Sequence, residues 1–474
     1  MQPAGTIGVR AVGAVAAARV ARWAAGFAHH GGTSLPGIVG ERVDPTIVGR
    51  LAEQLGPVAL VVGTNGKTTT ARLVARILER TLGVTPIANR SGANLRQGIA
   101  SALIAASRPN GRLRTPGAPA VFEVDELALD SVVETVRPSV VTATNLFRDQ
   151  LDRYGEVDLI VRRWTAALAR TGGATTFVSC ADDPRLEALA ASAGVPTVRF
   201  GLREPSLGAA TAPAPHAIEA DPVSCPLCGA PYAFDWRSIA HLGGFRCPNG
   251  HVERCSPDVA VALEREEGLD RVRLRFDGAF ESATADIHLP GISGAYDAAA
   301  AVATAVAIGI EPLRAVAALQ GATAAFGRLE EAEVLGRRVV LALMKNAASL
   351  TESEGIAARL HPDAVLLGLN DEPADGRDPS WIWDVDLAAL EAVPIVGVTG
   401  SRADDLALRL KYEPRADGRE WRPAVNDPDV RSALAATIDR TPIGGSVIAL
   451  ATYTAMLALR RSLERRGAVP EVPR

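Results

Sequence analysis

An apolar run near residue 60 breaks at a glycine and continues as a helix, and this junction constrains the fold more than any other stretch. Residues 58–62 read Val-Ala-Leu-Val-Val, which predicts a strand of a parallel sheet covered on both faces. The residues that follow are Gly63, Thr64, Asn65, Gly66, Lys67, Thr68 and Thr69. At such a helix start, backbone N–H groups can face phosphates, a lysine adds a point charge and a threonine hydroxyl can ligate Mg²⁺. We therefore predict a phosphate-binding loop, with Lys67 beside the terminal phosphates and Thr68 on the metal.

This loop is shorter than the usual consensus for phosphate loops. The consensus has a further glycine at the position that Val61 occupies in this chain. The remaining Gly-Thr-Asn-Gly-Lys-Thr-Thr pattern is similar to that of the Mur ligase and folylpolyglutamate synthase superfamily. The alternative, a chance Gly/Thr-rich turn, is weak because strand, glycines, lysine, threonine and helix all fall in the required order.

The composition limits the class of protein and of partner. With 474 residues, 47% of them hydrophobic, the chain can build about two to four domains with real cores. The formal charge is −4 and basic residues are well mixed with acidic ones, so we expect no nucleic-acid partner. We expect a cytoplasmic protein, or one at the inner face of the plasma membrane, because the cysteine usage suits a reducing compartment and no export signal is evident.

Residues 1–55 predict an N-terminal helical segment and a linker. An alanine-rich helix is expected over residues 9–27, and its arginines argue against a signal or membrane-spanning helix. One apolar face of this helix comprises Val9, Val12, Ala16, Val20, Trp23 and Phe27. That face could pack against the protein or rest on a membrane surface, and we favour packing. Residues 29–40 are glycine-rich and predict a linker, followed by a short helix over residues 45–55.

Strands and helices alternate after the loop, which predicts an α/β fold with two sheets. Strand-like runs of a doubly wound parallel sheet lie at residues 119–124, 139–144 and 175–179. Runs of a second, smaller Rossmann-like sheet lie at residues 339–343, 364–369, 394–398 and 446–450. We place a central ATP-binding domain at residues 56–335 and a C-terminal domain at residues 336–474.

Glu123 ends the first of these strand-like runs and is a candidate catalytic carboxylate. Ligands of open α/β sheets collect at the carboxyl ends of the strands, and carboxylates bind Mg²⁺. An acidic strand end taken alone is more often a solvated loop. The phosphate loop in the same sheet favours the metal, so we predict that Glu123 and Thr68 hold magnesium.

Four of the five cysteines crowd into an insertion at residues 222–256, which predicts a zinc-ribbon-like segment. Cys225 and Cys228 form one knuckle, and Cys247 begins a second one. A structural Zn²⁺ needs four S or N donors, so the fourth ligand is His251 or Cys255. The spacing from Cys247 favours His251. The alternative is a metal-free remnant that keeps its fold by packing alone.

Three further runs are similar to signatures of the MurT family, the Mur-ligase-like subunit of lipid II isoglutaminyl synthase. They are residues 89–94, 145–156 and 369–386. The resemblance extends over nearly the whole chain from about residue 30. It implies a ligase that uses ATP, Mg²⁺ and Zn²⁺ and converts the D-glutamate α-carboxyl of lipid II to D-isoglutamine through an acyl phosphate. The lipid substrate also implies peripheral contact with a membrane.

The same resemblance implies roles for single residues. Ammonia would come from a GatD-like glutaminase partner, whose Cys and His would be completed as a triad by Asp378. Composition also suggests a contact surface here, because Trp381 and Trp383 stand beside several carboxylates. Asp297 would contact the adenine, and Arg328 the ribose or phosphates. We expect no nucleophilic cysteine in this chain, since Cys180 has no cationic neighbour in sequence.

The chain departs from the family pattern at several positions. Ser293-Gly294 and Tyr296-Asp297 stand where Tyr-Asn pairs are usual, residues 345–349 read Lys-Asn-Ala-Ala-Ser where the family has Lys-Asn-Pro-Ala-Gly, and the usual four-cysteine ribbon lacks one cysteine. The departures at Gly294, Asp297, Ala347 and Ser349 keep open a non-catalytic scaffold that has lost ATP turnover. A stand-alone Mur or folylpolyglutamate-type ligase, which joins an amino acid, is the other alternative. It is disfavoured because too few residues precede the loop for a full UDP-binding domain.

Overall fold

We describe the fold from a computed structural model of the chain. The structure describes residues 9–27, 34–89, 92–148, 157–203, 223–267, 271–289, 291–323 and 328–469. The predicted signatures at residues 89–94 and 145–156 therefore fall partly outside the described residues, as does residue 222 at the start of the insertion.

Three helices precede the phosphate loop. They are α1 (Val9–Phe27), α2 (Leu35–Val43) and α3 (Ile47–Ala52). The prediction of a linker over residues 29–40 is wrong from Leu35 onward, because Pro36 occupies an early helical position where its missing N–H costs nothing. Gly37 and Gly40, which suggested a linker, instead permit close contact of α2 with its neighbours: a Cβ at Gly40 would lie 2.5 Å from the Ile104 side chain.

The predicted packing of the apolar face of α1 is also wrong. Val9, Val20 and Trp23 on that face are 89%, 65% and 68% exposed. The opposite side of the helix is buried instead, through the small side chains of Ala11, Ala14, Val15 and Ala18. Small residues on this side let α1 approach α2 closely, and helical periodicity alone does not reveal which of two apolar sides the protein covers. The side chain of Phe27 lies outside the described residues.

The first sheet has nine strands in the order β11-β10-β9-β6-β5-β4-β1-β3-β2. These strands and those of the insertion are β1 (Val58–Val62), β2 (Ile87–Ala88), β3 (Ala120–Glu123), β4 (Val140–Ala143), β5 (Thr176–Cys180), β6 (Thr197–Leu202), β7 (Ala233–Arg237), β8 (Gly243–Arg246), β9 (Val259–Glu267), β10 (Arg271–Gly278) and β11 (Phe280–Ile287). All pairings from β2 through β9 are parallel, and β10 and β11 add an antiparallel edge. The prediction of a doubly wound parallel sheet is confirmed.

Helices cover both faces of this sheet. They are α4 (Lys67–Leu82), α5 (Arg96–Ala106), α6 (Leu129–Val136), α7 (Val157–Ala169), α8 (Pro184–Ala193), α9 (Gly291–Ile308) and α10 (Pro312–Leu319). Among the described residues, α9 is the one helix long and apolar enough to cross a membrane. Most of it is buried against the sheet and α4, and a core helix of a globular domain has the same length and composition.

The insertion carries its own two-stranded antiparallel sheet of β7 and β8. A small apolar cluster of Val223, Tyr232 and Phe245 packs with the cysteine side chains. This cluster is small, and Trp236 and Leu242 of the insertion pack into the core of the first domain.

The second sheet has six strands in the order β12-β13-β17-β14-β15-β16. Its strands are β12 (Arg328–Val334), β13 (Arg337–Leu343), β14 (Ala364–Gly368), β15 (Ile395–Thr399), β16 (Val425–Asp427) and β17 (Ser446–Ala451). Its helices are α11 (Ala347–Leu360), α12 (Ala403–Lys411), α13 (Val430–Arg440) and α14 (Tyr453–Arg465), with 3₁₀ turns at Ser380–Asp384 and Ala388–Ala392. Strand β12 pairs with β13, so this sheet begins at Arg328, before the predicted boundary at residue 336.

Candidate functional site

The loop between β1 and α4 is shaped by two glycines in the left-handed region. Gly63 has φ 133° and Gly66 has φ 84°. A Cβ at Gly63 would lie 2.2 Å from Thr144 Oγ1, and one at Gly66 would lie 2.0 Å from Asp297 Oδ1. Both distances are too short for a Cβ unless the contacting group moves. Glycine at both positions is therefore favoured by φ and, most strongly at Gly63, by close approach.

The loop is held from the end of the neighbouring strand β4. The backbone N–H of Thr64 donates to the Asn145 carbonyl at 3.0 Å, and that of Asn65 to Asn145 Oδ1 at 2.8 Å. The Thr64 hydroxyl donates to the Phe147 carbonyl and accepts from its N–H. Asn145 thus has a structural role that the charged run at residues 145–156 did not indicate.

Lys67 is the first residue of α4 and is almost fully buried. Its Nζ donates to Glu126 Oε1 at 2.9 Å and to the carbonyls of Gly63 and Thr64. The ion pair neutralises a buried ammonium group, which would otherwise carry a large desolvation cost. Glu126 was not predicted as a site residue, although the acidic run at residues 123–126 could have identified it from the sequence.

Thr68 and Glu123 are brought together as predicted. The Thr68 hydroxyl donates to Glu123 Oε2 at 2.8 Å, and the Glu123 N–H donates to Asn89 Oδ1 at 2.9 Å. The Asn89 amide also donates to the Glu123 carbonyl. A hydroxyl and a carboxylate oxygen this close, beside a phosphate loop, form an oxygen donor set of the type that Mg²⁺ prefers.

Two residues of the second domain reach the loop, and neither was predicted as a site residue. Lys345 Nζ donates to the Thr64 carbonyl at 3.2 Å. Asn346 and Asn65 exchange hydrogen bonds through their side-chain amides at 3.1 and 3.3 Å. Both residues follow the carboxyl end of β13, and this position in the sequence could have identified them as site residues.

The departure at Ser349 from the family pattern has a structural explanation. Asn346 caps α11 by accepting from the Ser349 N–H at 3.0 Å, and the Ser349 hydroxyl accepts from the N–H groups of Lys345 and Asn346. This reciprocal capping box satisfies helix-start donors. Ser349 therefore helps to hold Lys345 and Asn346 against the loop.

The other residues predicted to contact the nucleotide are Asp297, Thr69 and Arg328. Asp297 is buried at the start of α9, where it lies against Gly66 and accepts from the Thr70 hydroxyl at 3.3 Å. Its contact with adenine stays a prediction. Thr69 is buried within α4, and its hydroxyl has no hydrogen-bond partner among the described residues. Arg328 begins β12, and its side chain lies outside the described residues.

The cysteine cluster has the size of a tetrahedral metal site. Ligand atoms of Cys225, Cys228, Cys247 and His251 lie within 4.8 Å of one another. The Cys228 and Cys247 sulfurs are 3.6 Å apart, and His251 Nδ1 lies 3.7 Å from the Cys247 sulfur. Zn–S bonds of about 2.3 Å in a tetrahedron place two sulfurs about 3.8 Å apart. The four donors therefore fit zinc.

Cys255 is not part of this cluster, so the alternative of Cys255 as the fourth ligand is wrong. Its thiol hydrogen-bonds Glu187, and burial raises the pKa of Cys255. At Cys228 the opposite holds: hydrogen bonding from the Ala230 N–H, then from Asn249, lowers the pKa to about 7. A thiol with this pKa is readily available as a thiolate ligand.

Asp378 lies in the loop after β14, at the carboxyl end of that strand, as predicted. Its carboxylate accepts from the Ser380 N–H at 2.9 Å and so begins the 3₁₀ turn that carries the two tryptophans. Trp381 packs on the core, whereas Trp383 is 42% exposed, with Tyr412 beside it at 6.3 Å between ring centroids. One aromatic therefore anchors the loop and the other is presented to solvent.

The base of this loop is fixed to α14. Asp375 is buried and accepts from the Thr454 N–H at 2.8 Å and from its hydroxyl at 2.5 Å. Asn370 donates to the same hydroxyl at 2.8 Å. Strands β13 and β14 both pair in parallel with β17, which lies between them. The loop after β14 therefore begins at the same end of the sheet as Lys345, and the ends of the two strands lie about 10 Å apart.

Comparison with known proteins identifies the class of this fold and site. Residues 61–219 match the Mur ligase middle domain family, and residues 343–456 match the MurT ligase C-terminal family. The fold is similar to that of a pseudomurein peptide ligase type C from Methanothermus fervidus, with a TM-score of 0.66 at 17% identity, covering 87% of this chain and 79% of that one. The chain thus has the fold of a Mur-type ligase.

Two relatives identify the family within this class. Over 465 residues the chain is 30% identical to the MurT subunit of lipid II isoglutaminyl synthase (glutamine-hydrolyzing) from Staphylococcus aureus (strain COL), with 95% of this chain and 97% of the relative covered. It is 30% identical over 442 residues to the same subunit from Streptococcus pneumoniae (strain ATCC BAA-255 / R6), covering 92% and 94%. The chain belongs to the MurT family of ligase subunits.

Proposed function

We propose that this chain is a ligase subunit that amidates the D-glutamate α-carboxyl of a lipid II stem peptide with ATP. The observation that carries the proposal is the convergence of Lys67, the Thr68–Glu123 pair and Lys345 on one loop. The names of the two relatives support the choice of substrate. A cytoplasmic reaction, at the inner membrane face where the lipid-linked substrate lies, fits this assignment.

In the proposed reaction, a carboxylate oxygen of the stem attacks the γ-phosphorus of ATP, and ADP leaves with the electrons of the broken P–O bond. Ammonia then attacks the acyl carbon, loses a proton and expels phosphate, which leaves the amide. Lys67 and the N–H groups at the start of α4 stabilise charge that develops on the transferred phosphoryl group. Lys345 adds a second cation from the other domain.

Thr68 and Glu123 would hold Mg²⁺, which neutralises phosphate charge when it is bound. Asn145, Thr144 and Asn346 keep the loop in position, because each hydrogen-bonds its backbone or the Asn65 side chain. Asp297 and Arg328 are proposed to contact adenine and ribose or phosphates. The cluster of Cys225, Cys228, Cys247 and His251 would hold a structural Zn²⁺.

Ammonia is proposed to come from a separate glutaminase subunit of the GatD type. The described chain offers no activated cysteine outside the metal cluster: Cys180 is fully buried, and burial raises its pKa well above the ordinary value. Asp378 is proposed to orient the histidine of a Cys–His pair in the partner, with exposed Trp383 in the contact surface. The names of the two relatives include glutamine hydrolysis, which supports a glutaminase partner of this type.

A reconstituted reaction tests this function. The chain is purified with its glutaminase partner and supplied with lipid II, ATP, Mg²⁺ and glutamine, and amide and phosphate are quantified. We expect one phosphate released for each amide formed. Amino-acid addition instead of amidation would favour a stand-alone Mur or folylpolyglutamate-type ligase. Tight complex formation without any ATP hydrolysis would favour a non-catalytic scaffold.

A further inference from the structure

The exposed side of α1 is apolar along its whole described length. With about 100° between successive residues, Val9, Val12, Ala16, Val20 and Trp23 fall within about 80° of arc on one side of the helix. Val9, Val20 and Trp23 are each at least 65% exposed. We call these five residues the α1 face. Isolated exposed apolar residues are ordinary, but a continuous stripe of this kind marks an interaction surface.

The apolar surface continues onto α2. A Cβ at Gly13, which borders the α1 face, would lie 3.8 Å from Val43 Cγ1. Val43 is itself exposed, as are Leu35 and Ile38 of the same helix. The stripe is therefore part of a two-helix surface and is supported from behind by the buried alanines of α1.

The charges of α1 are all positive. Arg10 and Arg19 flank the α1 face on its two sides, at about 100° and 280° from Val9, and Arg22 is exposed near the C-terminal end. Arg19 also donates to the Ser107 carbonyl at 2.7 Å, which fixes the helix to the domain. The helix has no acidic residue, although the whole chain has a formal charge of −4. A helix with only positive charges favours an anionic partner.

We propose that the α1 face docks on an anionic lipid bilayer, parallel to its surface. Valines and a tryptophan on one side, bordered by arginines, match a helix that lies in the interface between headgroups and acyl chains. Tryptophan prefers this depth, and arginines beside it bind lipid phosphates. The inference does not rest on the proposed function. If both hold, α1 keeps the chain at the surface that contains its lipid-linked substrate.

A second copy of the chain fits this surface less well. Antiparallel pairing of two copies through the α1 face places Arg10 of one copy beside Arg22 of the other, and parallel pairing places identical arginines together. Neither arrangement supplies an acidic residue from α1, so like charges would remain uncompensated. Lipid phosphates supply the missing negative charge.

Co-sedimentation with vesicles tests the proposal. The full chain is mixed with vesicles of phosphatidylglycerol and phosphatidylcholine, or of phosphatidylcholine alone, at low and high salt. We expect binding to the anionic vesicles that falls at least tenfold at high salt or without phosphatidylglycerol. The double variant Val20→Asp/Trp23→Asp should bind at least tenfold more weakly. Ile443→Asp, at an apolar site 81% exposed in the other domain, is the matched control and should bind as the wild type does.

Three results would overturn the proposal: no binding to anionic vesicles, equal binding by the double variant, or equal loss in the Ile443→Asp control. A dimer of the wild type that the double variant dissociates would assign the face to a second copy instead. Amidation of detergent-solubilised lipid II separates this inference from the proposed function. The double variant should keep wild-type activity there, since its substitutions lie on the solvent side of α1, and retained thermal stability excludes misfolding.

Discussion

The side-chain amides of Asn65 and Asn346 are hydrogen-bonded to each other in both directions, at 3.3 and 3.1 Å, across the two domains. Asn65 belongs to the predicted phosphate loop, and Asn346 is the cap of α11 in the C-terminal domain. A second contact runs from Lys345 to the Thr64 carbonyl. The C-terminal domain thus contributes directly to the conformation of the loop that is proposed to bind ATP.

Asn346→Ala should weaken ATP use. It removes the amide pair and the α11 cap, so we expect KM for ATP to rise roughly fivefold, in line with about 1 kcal/mol for lost hydrogen bonds. Asn426→Ala is the matched control, because it removes an exposed side-chain amide that bonds only Asp404 in the described structure. Steady-state kinetics at varied ATP concentrations measure this KM in both variants. An unchanged KM would mean that the interdomain contact does not shape the nucleotide site.

Lys67→Ala should abolish ATP-dependent amidation. Loss of the loop cation removes its stabilisation of the phosphoryl charge, which we expect to cost on the order of a thousandfold in rate, or about 4 kcal/mol. The variant also leaves buried Glu126 without its partner, which destabilises the fold. The double variant Lys67→Ala/Glu126→Gln removes that unpaired charge. It should recover thermal stability and remain inactive, whereas recovered activity would contradict the role of Lys67.

The loop between β1 and α4 and most strands could be predicted from local sequence because they depend on short-range patterns. An unbroken β-branched run predicts a buried strand, and Gly63 and Gly66 carry the backbone conformation of the loop in their residue type. The clustering of Cys225, Cys228 and Cys247 was predictable for the same reason, since knuckle spacing is local. His251 rather than Cys255 completes it because its ring nitrogen reaches the sulfurs.

Contacts that depend on domain arrangement could not be predicted in this way. Glu126, Asn145 and Lys345 meet the loop only after the sheets have formed, and nothing in their immediate sequence specifies a distance to Lys67 or Thr64. The prediction of which side of α1 packs against the protein failed for a related reason. Both sides of the helix are apolar, and the smaller side chains, rather than the larger ones, allow close packing.

Zinc should bind at about one ion per chain. Cys228→Ser should lower the zinc content of protein purified without chelator at least severalfold and destabilise the insertion, because a closed four-ligand site contributes folding free energy. Cys255→Ser removes a neighbouring cysteine outside the cluster and should retain the metal. Elemental analysis of the three proteins gives the result. Equal loss of zinc from both variants would contradict the assignment of ligands.

Glu354 should make the free energy of unfolding depend on pH. Burial, together with the charges of Asp386 and Glu413, raises the pKa of Glu354 well above the ordinary glutamate value of 4.5. The folded protein therefore keeps a proton that the unfolded chain releases, so stability falls as pH rises above that value. Glu354→Gln should remove this loss.

Denaturant melts at pH 5 and pH 8 test this prediction. Relative to the wild type, we expect Glu354→Gln to gain stability on the order of 1 kcal/mol at pH 8 and little at pH 5. The exposed Glu333→Gln is the control and should give the same difference at both pH values. A gain that is larger at pH 5 would show that Glu354 is ionised in the folded protein.

Asp378→Asn should separate the two proposed half-reactions. Free ammonia bypasses the glutaminase, so the variant should keep ammonia-driven amidation and ATP affinity near wild-type values while glutamine-driven amidation falls by orders of magnitude. Glu372→Gln removes an exposed carboxylate from the same loop and should leave both reactions unchanged.

The most direct test of the account is amidation of lipid II by the chain and its glutaminase partner, followed with either labelled glutamine or labelled ammonia as the nitrogen source. We predict that the wild type uses both sources and releases one phosphate per amide. Lys67→Ala should lose both reactions, and Asp378→Asn only the glutamine-driven one. Amidation by Lys67→Ala at the wild-type rate, or equal loss of both reactions in Asp378→Asn, would contradict it.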